Sequence, residues 1–190
     1  MRKFMSLFLS LLLILMIMPM GIFTAFADTD GCFTYYVDNG KTIITRCDTS
    51  VIGEVTIPST IGGYPVTSIG DSAFYNCSSL TSIEIPDSVT SIDDSAFSGC
   101  DNLTEIVIPD SVTSIGFRAF ENCERLTSVI IPDSVVWIGG CVFSYCYKLK
   151  EIQYKGTKKD ALTKLKVRNK RWRAISSIER VICTDGEIIL

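Results

Sequence analysis

The stretch LTSIEIPDSVTSIDDSAFSGC, residues 80–100, decides the fold, because it returns twice almost unchanged. Residues 103–123 read LTEIVIPDSVTSIGFRAFENC, and residues 126–146 read LTSVIIPDSVVWIGGCVFSYC. A partial earlier copy ends in Ala73-Phe74-Tyr75-Asn76-Cys77, so cysteines 77, 100, 123 and 146 keep a constant step of 23 residues. A unit this short cannot bury its own apolar side; its copies must bury it for one another by stacking. The expectation is a single coil of stacked turns, a solenoid.

The order of residue types within one turn has a physical reading. Leu80, Ile83 and Ile85 recur as Leu103, Ile106 and Ile108, then Leu126, Val129 and Ile131, then Leu149, Ile152 and Tyr154. The last two of each set alternate with polar residues, as a half-buried strand requires. Pro86, Pro109 and Pro132 follow at once and end the ladder, having no N–H to donate. Val89 and Ile92, with their copies, open the return side, and Phe74, Phe97, Phe120 and Phe143 fill the wide part. The cysteine column reads as small buried filler. Stacked side chains keep their Cβ atoms near ~4.8 Å, a disulfide needs ~3.8 Å, and zinc needs ligands that converge. Cys141, whose counterparts are Ser95 and Arg118, and Cys183 lie outside this pattern, and whether they pair is open.

The ends differ from the middle. Arg2 and Lys3, the apolar run 4–23 and Ala25-Phe26-Ala27 have the order of a secretory signal, so residues 1–27 are expected to be removed. A membrane span of roughly 20 residues is the competing reading; the cleavage motif and the acidic start at Asp28 favour removal, and no permanent anchor is expected. Residues 28–54 are expected to form an N-terminal β-hairpin cap around Asn39-Gly40, a strong turn signal. With those two residues in the turn, facing positions sum to 79 and Cys32 stands opposite Cys47; a disulfide and two free thiols are both open there. The array is assigned to residues 55–154. Its first turn is irregular, because Pro58 precedes Pro86 by 28 residues, and the five extra residues centre on Gly62-Gly63-Tyr64-Pro65. Residues 155–190 are expected to close the other end. They offer a helix from Thr157 to about Val167, a loop with Trp172, and strands Ile178–Cys183 and Glu187–Leu190 around Asp185-Gly186.

Charge and composition exclude whole classes of function. Residues 28–154 hold 6 Lys and Arg against 17 Asp and Glu, and residues 155–190 hold 10 against 4. The basic run Lys164–Arg173, with Lys166, Arg168, Lys170 and Arg171, reads as a solvated face complementing the acidic array; an anionic wall polymer or membrane surface is the alternative. The chain has no histidine, which removes His-based triads, imidazole bases and His metal sites. A cysteine hydrolase built on Cys141 would lack an activating base. No enzyme activity, cofactor, metal or nucleic-acid partner is expected.

The phrase from Leu80 to Cys100 resembles the Treponema-type leucine-rich repeat that typifies BspA-like bacterial surface proteins. The resemblance extends over residues 55–154, with an entry turn at residues 57–70 and an exit at Ile152–Thr157 and Cys183–Gly186 that are similar to those of such proteins. It implies a leucine-rich-repeat solenoid of the β-rich α/β class. The coil would be single and right-handed with 23-residue turns, carrying an N-terminal β-hairpin cap and a mixed α/β C-terminal cap. It also implies a secreted or extracellular location, and some family members are adhesins.

On the strand face, outward positions align in two columns, Ser82, Glu105, Ser128 and Glu151 in one, and Thr56, Glu84, Val107, Ile130 and Gln153 in the other. Adjacent exposed β-branched residues at Val107 and Ile130 are candidates for a contact. Trp137, in a column otherwise held by Ser68, Ser91 and Ser114, either anchors a partner or packs under the C-terminal piece, and packing is favoured. The binding candidates are therefore Glu84, Glu105, Val107, Ser128, Ile130, Glu151, Gln153 and Trp137. The expected function is an exported non-catalytic module binding a protein or glycan at the cell surface; the alternative is a structural spacer or envelope component.

Overall fold

A computed structural model describes residues 28–165 and 177–190, so the signal-like segment and most of the basic run lie outside the described residues. In chain order the strands are β1 (Asp28–Asp30), β2 (Phe33–Asp38), β3 (Lys41–Cys47), β4 (Gly53–Thr56), β5 (Thr60–Ile61) and β6 (Tyr64–Ile69). They continue with β7 (Leu80–Glu84), β8 (Ser91–Ile92), β9 (Glu105–Val107), β10 (Ser114–Ile115), β11 (Ser128–Ile131), β12 (Trp137–Ile138) and β13 (Glu151–Tyr154). Helix α1 (Lys158–Thr163), β14 (Arg180–Cys183) and β15 (Gly186–Ile189) complete the order.

These elements build a solenoid of about five turns at the expected 23-residue spacing. The first strand of each turn joins a front wall, where β9, β11 and β13 run parallel with Val107, Ile130 and Gln153 in register. The return strands β6, β8, β10 and β12 form a parallel back wall, in which Ser68, Ser91, Ser114 and Trp137 align. The Ala-Phe turns make a third wall. There alternate N–H groups bond within the turn (Cys77 to Phe74 O) and to the next coil (Phe74 to Ala96 O, Phe97 to Ala119 O). This alternation needs two left-handed residues per coil. They are Ser72, Ser95, Arg118 and Cys141 at one position, and Asn76, Gly99, Asn122 and Tyr145 at the other. Cys141 therefore keeps a backbone position that its column shares, whatever its side chain.

Between the walls the apolar columns close up. Phe74, Phe97, Phe120 and Phe143 stack face to face with centroids 5.0, 5.4 and 5.6 Å apart, and Phe33 of the cap meets Phe74 edge-on at 6.2 Å. Tyr154 takes the place of the isoleucine at the last strand, and Gly156 makes room for it: a Cβ there would stand 2.5 Å from the tyrosine ring. Gly156→Ala is expected to lower stability by about 1–3 kcal/mol through overpacking, read as a drop in the thermal midpoint; an unchanged midpoint would count against the close approach.

The caps dock on different walls. The N-terminal cap has three strands, because β1 pairs with β2 antiparallel, and β3 adds to β6 on the back wall. The hairpin at Asn39-Gly40 forms with Asp38 facing Lys41, but its register is not uniform. Pairs sum to 79 only as far as Tyr35 with Ile44; a bulge then shifts the register, and Phe33 faces Cys47. The expected opposition of Cys32 and Cys47 is thus corrected: Cys32 lies in the turn between β1 and β2, and all eight cysteines are free. The five extra residues of the first turn make a small hairpin of β5 and β6, Ile61 facing Tyr64. At the other end Thr157 caps α1 by accepting from Asp160 N–H at 3.2 Å. The helix ends at Thr163, before the expected Val167, and Leu165 is buried beyond it. Strand β14 extends the front wall parallel to β13, and β15 folds back with Cys183 facing Gly186. The turn residues are thus Thr184 and Asp185, one residue earlier than expected.

Candidate functional site

On the front wall the inward residues are locked in the core, so chemistry is left to the outward columns. The ladder aligns Glu54 with Ser82, Glu105 with Ser128, and Glu151 with Arg180 in one column. It aligns Thr56 with Glu84, and Val107, Ile130, Gln153 and Ile182 in the other. Seven of the eight sequence candidates, Glu84, Glu105, Val107, Ser128, Ile130, Glu151 and Gln153, therefore share this wall. Some are already engaged. Glu151 accepts from the Arg180 guanidinium at 2.8 and 3.0 Å, and Glu84 accepts from the Thr56 hydroxyl at 3.3 Å. Arg180 and Ile182 were not legible beforehand, because they enter the wall from a segment outside the repeat.

The wall is interrupted at one place. Strands β4 and β7 form a two-stranded sheet, and β9 begins a separate five-stranded one. A backbone bond from Thr104 N–H to Thr81 O joins them at the start, after which no ladder pairs β7 with β9. The opening is a groove of about 260 Å³ lined by Ile83, Ile85, Val107 and Pro109 and rimmed by Glu84 and Asp87. Val107 stands 53% exposed at its edge.

Trp137 lies elsewhere. It is on the back wall, 45% exposed, and meets Phe117 of the preceding coil edge-on at 5.6 Å. The expected packing under the C-terminal piece involves a segment, residues 166–176, that lies outside the described residues. Trp137 borders a hollow of about 340 Å³ with Asp71, Asp93 and Asp94. Each of two carboxylates there is held: Asp93 accepts from Ser68 at 3.0 Å, and Asp94 accepts from Phe117 N–H at 2.7 Å. Phe117 was missed although its signal was present, an aromatic in a column where the earlier turns carry Asp71 and Asp94.

Two thiols of the cysteine column are chemically quiet. Burial pushes the Cys100 and Cys123 thiols far up, against the thiolate a nucleophile needs. Among the described residues no group of His, Cys, Asp and Glu gathers as metal ligands would, and no helix is long and apolar enough to cross a membrane. The basic tail meets the acidic array in part: Lys155 pairs with Asp110 at 2.6 Å, and Lys164 Nζ approaches the Asp133 carbonyl at 3.5 Å. The rest of the basic run lies outside the described residues.

Comparison with known proteins agrees with this geometry. The family described as "BspA type Leucine rich repeat region" matches residues 48–167 in six copies. A leucine-rich repeat protein of T. pallidum is similar at 32% identity and a TM-score of 0.54, over 64% of this chain and 68% of that one. One from Bacteroides capillosus is similar at 30% identity and a TM-score of 0.61, over 68% of this chain and 99% of that one. A leucine rich cell surface protein from Faecalibacterium prausnitzii is similar at 31% identity and a TM-score of 0.51, over 69% of this chain and 45% of that one. No curated protein matches.

Proposed function

Because the chain belongs to the BspA-type leucine-rich-repeat family, we propose that it is an exported, non-catalytic module that binds a protein or glycan at the cell surface through its front wall. The observation that carries this is Val107, half exposed beside the groove where β7 and β9 part, with Ile130 next to it in register. An apolar floor of Ile83 and Ile85 with a carboxylate rim supplies a contact that excludes water and a rim that selects polarity. The likeness to a cell surface protein supports the location. Catalysis has no place in this reading, since the chain offers no histidine and burial pushes the Cys100 and Cys123 thiols up.

The test is a glycan and extracellular-matrix protein array, read with the purified chain and with a Val107→Asp/Ile130→Asp double variant. Two carboxylates on the apolar column are expected to weaken a bound ligand at least tenfold, a loss of about 1.4 kcal/mol or more. The thermal midpoint should stay nearly unchanged, because both side chains point out of the core. Equal binding by the double variant would reject this surface. Self-association in light scattering with no array signal would instead favour the structural-spacer role.

A further inference from the structure

The first half of the repeat array carries no cation. Residues 47–117 hold ten Asp and Glu and no Lys or Arg. Among the described residues one ion pair reaches into this stretch, Lys155 with Asp110 at 2.6 Å. The groove between β7 and β9 opens in the middle of it, with Glu84 and Asp87 on its rim and Glu105 exposed on β9. Glu84 accepts from the Thr56 hydroxyl, and among the described residues no ion pair engages Glu84, Asp87 or Glu105.

The floor of the groove is the core itself, left partly uncovered. Ile83 and Ile85 each keep 7% exposure, whereas their copies Ile106, Ile108, Val129 and Ile131 keep 1% or less. Val107 and Pro109 complete an aliphatic lining around a space of about 260 Å³. A partner's aliphatic side chain seated there would remove this surface from water. The lining has no aromatic ring on which a sugar could stack. The ten carboxylates repel the phosphate and uronate groups of anionic polymers and steer a cationic partner toward the wall.

We infer that this groove takes a segment of a partner protein that sets an aliphatic side chain on Ile83, Ile85 and Val107 and a lysine or arginine against Glu84 and Asp87. The inference rests on the front-wall reading above and narrows it from a protein or glycan to a cationic protein segment. The ammonium or guanidinium donates to the rim carboxylates, and these charge-assisted bonds form beside an apolar floor where water is scarce. Selectivity then has two parts. An aliphatic residue alone leaves the carboxylates with only water, and a basic residue alone leaves the floor wet.

The test starts from the purified chain, immobilised and offered a phage-displayed library of random dodecapeptides. Enriched peptides should carry lysine or arginine beside leucine, isoleucine or valine, and a synthetic peptide of their consensus is then the probe in fluorescence polarisation. In the parent, raising sodium chloride from about 50 to about 500 mM should weaken this peptide about tenfold by screening. Glu84→Gln/Asp87→Asn should weaken it about tenfold at low salt and flatten the salt dependence. Asp71→Asn/Asp101→Asn removes the same charge away from the groove lining and should change binding less than about twofold. All four carboxylates are exposed, so the thermal midpoint should hold in both variants. Equal losses in the two variants, enrichment of neutral or acidic peptides, or no enrichment would overturn the inference. Binding lost in Val107→Asp/Ile130→Asp but kept in Glu84→Gln/Asp87→Asn would overturn the cationic occupant and leave the front wall in place. Binding kept in both would reject the front wall as well.

Discussion

Phe97→Ala is expected to remove about 3–5 kcal/mol of stability, the usual loss for a buried phenylalanine cut to alanine. Its ring is fully enclosed between Phe74 at 5.0 Å and Phe120 at 5.4 Å, so truncation deletes two stacking contacts and leaves a cavity in mid-column. The neighbours cannot collapse into it, because each phenylalanine backbone is tied forward by its N–H to the next coil. A domain of this size holds about 5–15 kcal/mol in total, so the variant should lose a large share of its urea midpoint. Tyr75→Ala, on the same turn but half exposed, should cost under about 0.5 kcal/mol. A Phe97→Ala variant within about 1 kcal/mol of the parent would mean that the column does not carry the core.

Alkali is the second large effect, and its sign follows from burial. The Cys100 and Cys123 thiols are pushed up chiefly by desolvation, and the Tyr154 hydroxyl is pushed up to about 12 for the same first reason. In the unfolded chain these groups lose their protons near pH 9 to 10, while the folded chain keeps them. The unfolded state then binds fewer protons, so stability is whole below about pH 8 and falls as pH rises. Each thiol contributes a slope of about 1.4 kcal/mol per pH unit above 9, so the two together remove about 4 kcal/mol by pH 10.5. Urea titrations under reducing conditions from pH 7 to 10.5 measure this. Replacing Cys100 and Cys123 by alanine should flatten the slope even though it lowers stability at neutral pH. A flat profile in the parent would show that the thiols ionise in place, and hence that the column is open to water.

The front wall illustrates how much of a candidate site a repeat makes legible. Val107 and Ile130 could be put side by side because an interval of 23 residues fixes register between copies, and the ladder has them paired. Nothing in the repeat announced that β7 and β9 would part. The copies on either side of that gap are nearly the same, and the groove comes from how the sheet continues on each side. Cys32 and Cys47 show the reverse case. The Asn39-Gly40 turn was read correctly, yet a bulge four pairs away moved Phe33 into the place expected for Cys32. Trp137 was recognised as a break in its column, but its partner Phe117 is a neighbour only across coils.

Periodicity alone determined that this chain stacks, how long each layer is, which residues face inward, and where proline stops each strand. Those are local or translational properties, repeated until they cannot be mistaken. The tertiary structure decided what translation does not carry. Its decisions include the walls on which the two caps dock and the entry of Arg180 and Ile182 into the front wall. Each of these depends on a non-repeating segment packing against a repeating one, where the outcome is set by shape and hydrogen-bond demand at one interface and has no second copy in the chain to reveal it.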